Sequence, residues 1–91
     1  MQQLNLVEMR TQQECIQCIF QDEITFENAV ELIPEWLAGH NLKIIECIIG
    51  ADRISWQLQA DKVSWLHFEA LSQSVWFEGD IQSIAHFLDH Y

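Results

Sequence analysis

Between Leu42 and Glu78 the chain offers four short strand-like runs with almost nothing between them. These runs are Leu42–Ile49, Arg53–Gln59, Val63–Ala70 and Ser74–Glu78. The links Gly50-Ala51-Asp52 and Asp61-Lys62 are too short for a crossover. Neighbouring strands must therefore pair antiparallel, as a meander. That is the strongest constraint on the fold.

Side-chain alternation then assigns faces. In the second meander strand Ile54, Trp56 and Leu58 share one face, and Ser55, Gln57 and Gln59 the other. The third strand has bulk on both: Val63, Trp65 and His67 against Leu66 and Phe68. The fourth places Trp76 opposite Val75 and Phe77. A two-residue turn near Asp61 pairs Ala60 with Val63 and brings Trp65 to the face of Trp56. A three-residue loop brings Leu66 and Phe68 there instead. One residue of slip exchanges the faces, and both registers stay open at this point. If Phe68 opposes Val75, then His67 opposes Trp76 and Trp65 opposes Glu78.

Either register leaves large apolar groups on a second face. N-terminal strands folded over it, a closed sheet or another protein chain would each cover them.

Upstream, Leu4–Met9 and Cys15–Phe20 read as strands, with Arg10–Glu14 turning between them. Phe26–Ala38 reads as a helix, with Phe26, Ala29, Val30, Ile33 and Leu37 as its apolar stripe. Thr25 suits its N-cap and Gly39 the left-handed position after its last turn. Pro34 predicts a kink or a split there. Asp80 caps a last helix, Ile81 to Tyr91, whose stripe is Ile81, Ile84, Ala85, Leu88 and Tyr91. The fold class is α+β: one domain over residues 1–91, an antiparallel meander sheet of four to six strands with two helices packed on one face.

Composition suits a folded chain, with 49% hydrophobic residues. Four Lys+Arg against 14 Asp+Glu give a net charge of −10. Such a surface repels phosphate backbones and anionic membranes, so neither nucleic acid nor membrane is expected as a partner. No basic, apolar leader occurs at the start and no apolar run is long enough for a bilayer, so the expected compartment is the cytoplasm.

Chemical motifs are sparse. Cys15 and Cys18 have C-x-x-C spacing but lie in a strand-like run, where residues three apart point to opposite faces. They read as buried structural thiols, and Cys47 is the only other cysteine. His86 and His90 stand four apart on the last helix, a spacing that can hold metal, yet the Glu of an H-E-x-x-H site is missing. His67 with Glu69 or Glu78 offers a base beside carboxylates, without a recognisable nucleophile or orienting group. No cofactor, metal or catalytic residue is expected. Glu27, Glu31 and Glu35 form an acidic ridge on the first helix.

The helix Phe26–His40 with the strand pair Trp65-Leu66-His67-Phe68 and Val75-Trp76-Phe77-Glu78-Gly79 resembles small acidic gammaproteobacterial proteins of unknown function. The resemblance implies a bacterial cytoplasmic protein and assigns no catalytic residue. The expected function is a non-enzymatic protein–protein interaction domain, pairing with itself or another protein through Trp65, His67, Trp76 and Glu78. Under the other register Leu66, Phe68 and Phe77 take that place. The alternative is an acidic antagonist or immunity-type protein that meets a basic partner with Glu27, Glu31 and Glu35.

Overall fold

The computed structural model describes residues 4–59 and 62–88. The elements run β1 (Leu6–Gln12), β2 (Cys15–Phe20), α1 (Phe26–Gly39), β3 (Ile44–Ile49), β4 (Arg53–Leu58), β5 (Ser64–Glu69), β6 (Ser74–Glu78) and α2 (Ile81–Leu88). All six strands form one antiparallel sheet in the order β1-β2-β6-β5-β4-β3. The meander is present, and the N-terminal hairpin extends it beyond β6.

Register settles which side chains face inward. Trp56 pairs with Leu66 and Leu58 with Ser64, as the three-residue loop requires. Ala60 and Asp61 themselves lie outside the described residues. Leu66, Phe68 and Phe77 therefore share the face of Trp56 and are fully buried. They are core, not contact residues, which corrects that reading. This register lets three strands place Ile54, Trp56, Leu58, Leu66, Phe68, Val75 and Phe77 on one side. On the other side these three strands carry Trp65, His67 and Trp76.

The N-terminal hairpin departs from expectation. β1 starts at Leu6 and runs through Gln12, leaving Gln13 and Glu14 as the turn. Arg10, Thr11 and Gln12 pair with Gln17, Ile16 and Cys15. Polar residues are at home there because an edge strand exposes them. The hairpin lies in the plane of the sheet, so it does not fold over the second face.

α1 starts with a reciprocal capping box. Thr25 Oγ1 accepts from the Asn28 N–H at 3.1 Å, and Asn28 Oδ1 accepts from the Thr25 N–H at 2.8 Å. Its stripe is rotated from the expected one. Ala29, Leu32, Ile33, Trp36 and Leu37 are buried, while Val30 is 42% exposed. Trp36 fixes this rotation by meeting Phe20 edge-on at 5.0 Å and Phe77 at 6.0 Å. The helix is one element across Pro34 and is not split. Pro34 has no N–H to donate to the carbonyl of Val30, a residue on the exposed side of the helix.

The helix stop is also corrected. Gly39 stays within the last turn, and Asn41 takes the left-handed conformation at φ 62°. The Asn41 N–H donates to Ala38 O at 3.0 Å and the Leu42 N–H to Leu37 O at 2.9 Å. That is a Schellman motif, which Asn can serve because its short polar side chain tolerates this conformation. At the other helix, Asp80 Oδ1 accepts from the Ser83 N–H at 3.4 Å. Ile84 and Leu88 are buried against the same core, and Tyr91 lies outside the described residues.

Candidate functional site: the open face of the sheet

Both helices share one core with the inner face, so among the described residues the opposite face has no helical cover. Strand pairing lays its side chains in rows. One row runs Glu46, Gln57, Trp65, Glu78, Cys15 and Gln12. The next runs Ile48, Ser55, His67, Trp76, Gln17 and Arg10. The expected pairs His67–Trp76 and Trp65–Glu78 are present.

His67 is the centre. It is 9% exposed and lies between two tryptophans, stacked near Trp65 at 6.1 Å and tilted towards Trp76 at 5.2 Å. Its Nδ1 is 2.7 Å from Ser55 Oγ, and its Nε2 is 3.5 Å from Glu78 Oε1. The hydroxyl can donate to Nδ1, leaving Nε2–H turned towards the carboxylate. Burial holds His67 below the ordinary histidine range, Glu78 pulls the other way, and the Arg53 charge adds a smaller lowering. The net lowering favours the neutral ring.

Arg53 completes the surface. Its guanidinium lies over the Trp76 ring, 5.2 Å from the centroid, and its Nη2 reaches Glu69 at 3.5 Å. Two shallow depressions, of 420 and 380 Å³, border Glu78 and Trp76 respectively.

Hydroxyl, imidazole and carboxylate stand in sequence here. Ser55 is itself only 9% exposed. β4, β5 and β6 are all interior strands, so their amides are paired on both sides. The arrangement satisfies the polar atoms of a buried histidine.

The other candidates are dispersed. Cys15 lies on the open face opposite Glu78, whereas Cys18 is buried on the helical side opposite Val75. The two thiols diverge, as a strand dictates, and burial pushes the Cys18 thiol up to about 12. His86 is exposed on α2, and His90 lies outside the described residues. Among the described residues no group of three His, Cys, Asp or Glu is placed to hold a metal ion. Glu27, Glu31 and Glu35 are all exposed along α1, away from the open face. No helix among the described residues is long and apolar enough to cross a membrane.

Sequence reading named Trp65, His67, Trp76 and Glu78 as candidates and did not single out Ser55 and Arg53, which the structure places beside His67 and Trp76. Both follow from the three-residue-loop register, which places Ser55 opposite His67 and Arg53 opposite Glu69.

The fold and this surface define an open-faced α+β domain, a single antiparallel sheet with helices on one side and an aromatic, hydrogen-bonded centre on the other. Residues 4–90 match the family described as "Protein of unknown function (DUF3630)", and the chain belongs to that family. No curated protein and no solved structure matches it.

Proposed function

We propose that this chain is a non-enzymatic protein-binding domain whose contact surface is the open face of its sheet. The observation that carries this reading is the pair of half-buried tryptophans, Trp65 and Trp76, held on either side of His67 with no layer of described residues above them. Aromatic groups on a rigid platform are the usual anchors of protein contacts, because they lose little conformational freedom on binding. The locked His67 fixes their spacing, and Glu78, Glu69 and Arg53 form a charged rim.

A second reading rests on charge. The chain carries −10, and Glu27, Glu31 and Glu35 all reach solvent from one helix. An acidic antagonist would use them to meet a basic protein, with capture that weakens steeply in salt.

Capture of partner proteins by the immobilised chain separates the two. The open-face reading expects capture that resists salt, is lost in Trp65→Ala and Trp76→Ala, and survives charge reversal at Glu27, Glu31 and Glu35. The opposite pattern supports the acidic antagonist. Acrylamide quenching supplies an independent readout: tryptophan emission that becomes protected in the complex belongs to the first reading alone.

A further inference from the structure

The two outer edges of the sheet are built differently. β1 carries Glu8 and Arg10 and is bulged between Leu6 and Glu8. Charges and bulges of this kind discourage edge-to-edge pairing. β3 reads Ile-Ile-Glu-Cys-Ile-Ile, with Ile45, Ile48 and Ile49 exposed by 58%, 50% and 59%. After a bulge between Ile44 and Glu46 it is regular to its end.

Its free edge has a definite hydrogen-bond pattern. The Gly50 N–H donates to Arg53 O at 2.7 Å, which phases the β3–β4 ladder. Backbone groups alternate in direction along an antiparallel strand. Glu46 and Ile48 therefore turn theirs towards β4, and Cys47 and Ile49 turn theirs outward.

We infer that β3 pairs with β3 of a second copy of this chain, antiparallel, about a two-fold axis passing between the two Ile48 residues. In this register Cys47 of each copy stands opposite Ile49 of the other, so all four outward N–H and C=O groups of each strand find partners. The Ile48 residues form a non-hydrogen-bonded pair, whose Cα atoms approach to about 4.5 Å and whose side chains pack closely. Each Glu46 stands opposite Gly50 of the other copy, so the two carboxylates are kept apart. An axis one residue pair earlier, at Glu46, would set like charges face to face. A two-fold axis perpendicular to the sheet keeps all helices on one side and joins the two open faces into one surface. The inference does not rest on the protein-binding reading.

Each copy carries −10, so repulsion opposes pairing and salt relieves it. Sedimentation velocity of the full chain should show a monomer–dimer equilibrium that shifts towards dimer as salt rises. Ile49→Lys should leave a monomer with an unchanged far-ultraviolet spectrum. Ile48→Cys in a Cys47→Ser background should give a disulfide-linked dimer on treatment with diamide. Trp76→Ala should leave the dimer intact, which separates this contact from the open face. A chain that stays monomeric at its highest soluble concentration in high salt overturns the inference. So does a dimer that is equally strong in Ile49→Lys.

Discussion

Ser55 and His67 pair across β4 and β5 with both side chains almost closed to solvent. Removing one partner leaves the other buried and unsatisfied, so Ser55→Ala should destabilise the fold by about 1–3 kcal/mol in urea titration. The same burial gives His67 a pH signature. Its folded value is lowered, chiefly by desolvation, while the unfolded chain binds the proton near the ordinary value of about 6.5. Its contribution to stability is thus complete above about 6.5 and disappears as pH falls towards the lower folded value. Thermal melts of His67→Gln should show a shallower loss of stability over that window than the parent chain. Cys18 provides a third residue-scale readout. With its thiol raised to about 12 and 4% exposure, it should be the slowest of the three cysteines to react with iodoacetamide, labelling fully only on unfolding. Mass spectrometry of digested, timed samples measures this.

Among the elements, α1 shows how tertiary contacts override a plausible stripe. Val30 and Leu32 are both apolar, yet only Leu32 is buried. Leu32→Ala should cost about 2–5 kcal/mol by cavity formation, and Val30→Ala less than about 1 kcal/mol. Chemical denaturation of the pair checks the rotation directly. Thr25→Ala, which breaks the capping box, should cost about 1 kcal/mol. The turn from β6 into α2 is tighter still. Gly79 has φ 113°, and an added Cβ would strike Val63 O and lie 2.8 Å from Ser64 Cα. Ser64 Oγ, at that same place, accepts from the Asp80 N–H at 2.9 Å and donates to Lys62 O at 3.1 Å. Gly79→Ala should therefore disturb both the β5 start and the α2 cap, losing more stability than the roughly 1 kcal/mol of an ordinary glycine change.

For the whole molecule, the meander pairing and the positions of the helices in the chain follow from local patterns, whereas the place of the N-terminal hairpin beside β6 does not. Short links between Leu42 and Glu78 permit only a meander, and the polar–apolar alternation of Ser55 through Leu58 marks one clear inner face. Thr25 and Asp80 mark the helix starts by their side-chain oxygens. β5 was illegible for the opposite reason: Trp65 and His67 are as bulky as Leu66 and Phe68, so hydrophobicity could not choose between its faces. The loop after β4 chose instead, and with it the partners of His67. Arg53 and Ser55 gained their roles only through that choice. The exposed edge of β3 was equally hidden, since Ile44–Ile49 reads like a buried strand until its place at the end of the sheet is known.

Chain-local chemistry alone determined the α+β class, the antiparallel meander and the divergence of Cys15 from Cys18, because turn length and the two-residue period of a strand act between near neighbours. Tertiary structure decided which face of β5 is core, which turn of α1 is buried and which strand is left at an edge. Those outcomes depend on contacts between residues far apart in the chain, where one step of register changes every partner at once.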